Sequence, residues 1–63
     1  MLRLKTLGKR AKKARLEMGW TLDKLSEKTG FTKSFLSEME RGKKFPALST
    51  LEKICKVLRT KLI

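Results

Sequence analysis

The side chains of this 63-residue chain that could engage a ligand are mostly ammonium and guanidinium groups. Seventeen Lys and Arg stand against 6 Asp and Glu, a formal charge of +11, with no histidine to modulate it near neutral pH. Such an excess draws a polyanion, either nucleic acid or an acidic membrane surface. Covalent and metal chemistry lack their parts. Thr21 and Thr32 have no base with an orienting group to activate a hydroxyl. Cys55 is the only cysteine, so neither an intrachain disulfide nor a Cys/His zinc site can be assembled, and its place on an apolar stripe reads as an inert core thiol. The carboxylates form no metal-ligand cluster with His or Cys, and no glycine-rich phosphate loop occurs. The expectation is a binding protein and not an enzyme, with no catalytic residue, no metal and no cofactor.

The elements that position these charges must fit one small domain. A chain this short buries only about 60% of its potential surface, which excludes large substrate clefts and demands good helix packing or a partner. Residues 1–30 hold nine basic and three acidic side chains and residues 31–63 hold eight and three, so no detachable basic tail explains the total. The longest apolar run, Phe45 to Leu48, contains a proline and is far too short for a membrane span or a secretory signal. With the lone cysteine, this gives a cytoplasmic expectation and no membrane partner.

Leu7, Ala11, Ala14 and Met18, spaced 4, 3 and 4, form one helical stripe, with Thr6 as its expected cap and Gly19 as its stop. Residues 1–6 read as an arm or lead-in. Thr21 caps a second helix, stapled by Trp20 and Leu25, with Asp23 in its first turn and its end near Thr29 and Gly30. Thr32 caps a third, stapled by Phe31 and Leu36 and terminated by Gly42. Two helices of about eight residues are thus joined by Gly30-Phe31-Thr32 alone, so they cross steeply as in a helix-turn-helix unit. Leu48, Leu51, Ile54, Cys55 and Leu58 predict a fourth helix entered through Pro46. Residues 60–63 read as a tail or a truncated fifth helix. The expected core also includes Met39 and the two staples.

Gly8-Lys9-Arg10, Arg15 through Thr21, Gly30-Phe31-Thr32-Lys33-Ser34, Leu36 through Gly42, and Pro46 stand in an order and spacing that resembles the Cro/C1-type, or xenobiotic-response-element type, helix-turn-helix family. The resemblance covers roughly residues 7–59. It implies an all-α, compact four- to five-helix repressor-like DNA-binding domain whose third helix enters the major groove, commonly in a homodimer on a palindromic operator. It further implies a partly buried ion pair between Arg15 and Glu40, tying the first helix to the end of the third. Four positions depart from the pattern: Leu22 replaces the Gln that helps bind phosphate, Ser26 a small Ala, Thr29 an apolar residue, and Ala47 a helix cap.

A helix in the major groove reads bases with residues near its N-terminus and one turn later. Counted from Thr32, these are Lys33, Ser34, Ser37 and Glu38, while Leu36 and Met39 turn to the core. Lys33 could donate to guanine, Glu38 could accept from cytosine N4, and the serines could meet several base edges. Phe35 is expected to pack on the rim. Phosphate candidates are Arg10, Thr32, Arg41, Lys43 and Lys44, with Lys9 and Lys13 behind them.

The resulting reading is a sequence-specific regulator of transcription that binds double-stranded DNA, with repression as its expected action. The expected dimer interface is Leu58, Leu62 and Ile63, formed in solution or only on DNA. An antitoxin-like or restriction-control regulator acting mainly through a protein partner is the alternative. A cationic membrane-surface helix is a second rival, but it leaves the two capped helices and their turn without a role.

Overall fold

Alternating 3- and 4-residue spacing carries the apolar side chains into four helices. A computed structural model, which describes residues 4–60 and 62, places them as α1 (Leu4–Glu17), α2 (Leu22–Thr29), α3 (Lys33–Glu40) and α4 (Leu48–Leu58). Among the described residues there is no strand and no fifth helix. α3 packs against both α1 and α2, and α4 closes the other side against α2 and α1. Leu7, Ala11, Leu25, Leu36, Met39, Leu51, Ile54 and Leu58 meet in one core, with Met18, Trp20, Phe31 and Phe35 packed on its edge.

The first helix starts earlier than its expected cap. Thr6 lies inside the first turn of α1, and residues 4–6 are helical instead of forming a lead-in. Leu and Lys at positions 4 and 5 are strong helix formers, so the helix extends back past Thr6. Residues 1–3 lie outside the described residues.

Both short helices begin as their sequences dictate. The Thr21 hydroxyl accepts from the Lys24 N–H at 3.1 Å and the Thr32 hydroxyl from the Phe35 N–H at 3.1 Å, each satisfying an orphan donor of a first turn. The turn between them is held by two positions that depart from the family pattern. Thr29 is buried; its hydroxyl donates to the Leu25 carbonyl at 2.8 Å and accepts from the Phe31 N–H at 3.2 Å. Ser26 donates to the Phe31 carbonyl at 2.5 Å. Both backbone groups of Phe31 are therefore fixed by α2 side chains just before α3 begins.

Two expectations about the C-terminal region are corrected. Leu48, expected in the core, is 64% exposed at the first residue of α4, while Leu51 one turn later is buried. Leu58 and Leu62, expected at a dimer interface, are 3% and 1% exposed. After α4 the chain turns through Arg59 in the left-handed region, where the N–H groups of Arg59 and Thr60 bond the carbonyls of Lys56 and Cys55. That reversal returns Leu62 to the chain's own core, so the apolar area expected for a partner is used internally. Ile63 lies outside the described residues. Cys55 is half-buried at the edge of the core.

Gly8 explains how closely α1 and α3 approach. A Cβ at this position would meet the Glu40 carbonyl oxygen and lie 2.6 Å from that of Met39, both backbone atoms that cannot swing aside. The crossing thus depends on a missing side chain in mid-helix. Gly8→Ala should lower stability by about 1–3 kcal/mol in urea denaturation, the range for overpacking, although alanine in an open helix would raise it by about 1 kcal/mol. A stability equal to or above that of the unaltered chain would show that the two helices can separate at no cost.

Candidate nucleic-acid interface

The orientation of α3 is set from its buried end. Arg15 Nε donates to Glu40 Oε2 at 2.8 Å and Arg15 Nη2 donates to Oε1 at 3.0 Å, a two-point contact that fixes direction as well as distance. The side chains are only 8% and 5% exposed. A third guanidinium bond, from Nη1 to the Trp20 carbonyl at 2.7 Å, ties in the α1–α2 turn. Beyond Glu40 the helix stops in a Schellman arrangement: Gly42 is left-handed at φ +76°, its N–H bonds the Met39 carbonyl at 3.1 Å, and the Lys43 N–H bonds that of Glu38 at 2.8 Å.

With Leu36, Met39 and Glu40 turned inward, the outer face of α3 is free. Lys33, Ser34, Ser37, Glu38 and Arg41 line one open groove of about 370 Å³, with Leu22 of α2 as its apolar wall. The four expected base readers are therefore brought together on one face, one turn apart. Lys33 and Ser34 are exposed, Ser37 and Glu38 half-buried. Their charges are not unopposed: Lys33 Nζ lies 3.3 Å from Asp23 Oδ1, and Glu38 Oε1 lies 3.9 Å from Lys44 Nζ.

The expected phosphate contacts divide by position. Arg41 belongs to the groove itself, with its Nε donating to the Ser37 carbonyl at 3.3 Å. Lys43 and Lys44 are exposed in the loop after α3, and Thr32 is exposed at its start. Arg10 is exposed on α1, outside the groove lining. Lys9 and Lys12 flank a separate depression that reaches Glu40 and Arg41. Phe35 is half-buried and meets Phe31 edge-on, with ring centroids 5.9 Å apart, so it packs at the helix crossing.

Sequence reasoning missed the partners of the charged groove residues. Asp23 stood out for its place in a first helical turn, but its pairing with Lys33 crosses the turn between α2 and α3 and follows only from their crossing angle. Leu22 was noted for the amide it lacks; its role as a groove wall depends on the same crossing.

A helix-turn-helix family model matches residues 12–63 of the chain. The chain is 43% identical over 53 residues to the HTH-type transcriptional regulator SinR of Bacillus subtilis, a match that covers 82% of this chain and 48% of SinR. It is 40% identical over 53 residues to the immunity repressor protein of Bacillus phage phi105, covering 84% of this chain and 37% of that protein. The chain thus spans about half or less of the length of these relatives. Among solved structures, the clp gene regulator ClgR of Corynebacterium glutamicum superposes with a TM-score of 0.86 at 33% identity, covering 95% of this chain and 76% of that one.

The buried ion pair predicts a non-additive mutational response. Glu40→Gln or Arg15→Met alone leaves an uncompensated buried group and should cost about 3–5 kcal/mol, enough to unfold much of a domain this small. The double variant Arg15→Met/Glu40→Leu, which replaces both charges by apolar volume, should be more stable than either single variant in urea denaturation. A double variant no better than the worse single one would mean that the pair acts through contacts other than its own charges.

Proposed function

The chain belongs to the Cro/C1-type helix-turn-helix family, and from that premise we propose that it is a sequence-specific transcriptional regulator that binds double-stranded DNA, reads the major groove with α3 and acts as a repressor. One observation carries the reading: Lys33, Ser34, Ser37 and Glu38 share the free face of α3, while the opposite face is anchored in the core and through Glu40. A polar face of this kind offers base edges both donors and acceptors on a rigid support. Lys43 and Lys44 beyond its end, and the Thr32 cap at its start, supply the flanking contacts that hold phosphates and set register. The phage relative is itself an immunity repressor protein, which supports repression as the action.

A second copy completes the proposal. One short helix reads only a few base pairs, so the operator is expected to be palindromic and the protein to bind it as a homodimer. Leu58 and Leu62 are already buried, and the other large apolar side chains left exposed among the described residues are Leu16, Phe45 and Leu48. Phe45 and Leu48 lie on either side of the Pro46-Ala47 entry to α4 and form the surface we assign to the second copy. The formal charge of +11 opposes pairing in free solution, so the dimer forms on DNA, where phosphates neutralise it. No helix among the described residues is long and apolar enough to cross a membrane.

Selection from a random duplex library at several salt concentrations tests this reading. The expected result is a palindromic consensus bound in preference to random duplex. On the selected site, Lys33→Gln should relax preference at one position per half-site at a cost of about 1–3 kcal/mol. Lys43→Gln should instead weaken all sequences about equally and reduce the salt slope by about one unit. Binding that is equal for every sequence and lost with salt would reject sequence-specific regulation.

A further inference from the structure

Two of the six carboxylates of a +11 chain stand at the surface proposed to meet DNA: Glu38 in the groove, and Asp23 beside it. Asp23 is the second residue of α2, and its Oδ1 reaches 3.3 Å from the Nζ of Lys33, the first residue of α3. Asp23 and Lys33 are 76% and 59% exposed, so the core does not require this pair. Its effect falls on the surface.

We propose that Asp23 is a specificity-determining residue: its carboxylate holds the Lys33 ammonium over the groove and repels phosphate, so that duplexes of unrelated sequence bind weakly. The proposal rests on the DNA-binding reading given above. Helix N-termini attract anions, and at the start of α2 the Asp23 carboxylate already occupies that role, next to a leucine that carries no donor. A phosphate approaching there meets a negative charge. A lysine tethered at 3.3 Å is also less free to swing toward the nearest phosphate, and stays available to guanine O6 or N7 at the groove floor. Glu38, 3.9 Å from Lys44, is a second carboxylate of this surface and lines the groove itself. Specificity is a difference between affinities, and a strongly basic domain raises it by weakening its attraction to the wrong sequences.

The test compares Asp23→Asn with the unaltered chain on the selected operator and on a random duplex, across a salt series. Asn keeps the shape and suits a first helical turn, and circular dichroism should show the same helicity. Asp23→Asn is expected to tighten random-duplex binding about 3- to 10-fold and to steepen its salt dependence by about one phosphate contact, with a smaller gain on the operator. The ratio of the two affinities therefore falls. In a Lys33→Gln background, the change produced by Asp23→Asn should shrink, since the lysine it restrains is gone. An unchanged ratio, or equal loss on both duplexes, would overturn the proposal while leaving DNA binding intact. If the gain were fully retained in the Lys33→Gln background, the tether would be overturned. Failure of the unaltered chain to bind any duplex would instead overturn the DNA-binding reading and this inference together.

Discussion

The Arg15–Glu40 pair is the constraint on which the exposed face of α3 depends. An eight-residue helix is not stable alone in water, so α3 owes both its existence and its direction to what it packs against. Leu36 and Met39 bury its inner face and decide which side stays exposed, but apolar contact is non-directional and sets the tilt and axial position of so short a helix only loosely. The two-point contact at 2.8 and 3.0 Å supplies that direction. A third bond, to the Trp20 carbonyl, places the entrance to α2 in the same frame. The net contribution of such a pair to stability can be small, because both ions lose water, and its larger effect is on geometry.

The rest of the fold is arranged to let that pair form. Gly8 permits α1 to approach the Met39 and Glu40 carbonyls, and Gly42 lets the chain leave α3 immediately beyond them. From the other end, Ser26 and Thr29 fix Phe31 before Thr32 caps the helix. Both termini of α3 are therefore held by polar contacts of defined length, and its middle by the core. A reading surface needs this kind of support, since displacing the backbone displaces Lys33 and Glu38 relative to one another.

Elements whose signals lie within a few residues were legible in the sequence. Thr21 and Thr32 are caps because a hydroxyl there meets an N–H three residues on, a purely local relation, and the 3–4 spacing of Leu7, Ala11 and Ala14 marks a buried face equally locally. Lys33, Ser34, Ser37 and Glu38 could be grouped because helical periodicity puts them on one side. The pairing of Arg15 with Glu40, 25 residues apart, came from family resemblance and not from spacing. What the sequence concealed depended on tertiary direction. Leu48 continues the stripe of α4 yet is exposed at its first residue, whereas Leu62 looked like a free tail until the turn at Arg59 returned it to the core. Thr29 is polar where the pattern expects an apolar side chain, and its burial is tolerated because both hydrogen-bonding functions of its hydroxyl are used locally.

Charge distribution links these structural facts to the proposed regulation. The basic residues are spread over both halves of the chain, so attraction to any polyanion is diffuse and cannot itself select a sequence. Selection requires groups whose interaction energy changes sign with the chemistry they meet. A carboxylate such as Glu38 does so: it is repelled by phosphate and acceptor edges but accepts from an amino group. Placing such groups on α3 and at the start of α2, with Lys43 and Lys44 in the following loop, sets discriminating carboxylates close beside the lysines that hold phosphate. The same charge makes two free copies repel, so in the proposed assembly the second copy is recruited by neutralisation on DNA. Under that arrangement a single half-site holds one weakly bound copy. A correctly spaced pair of half-sites holds two copies that stabilise each other, and operator spacing becomes part of what the protein recognises.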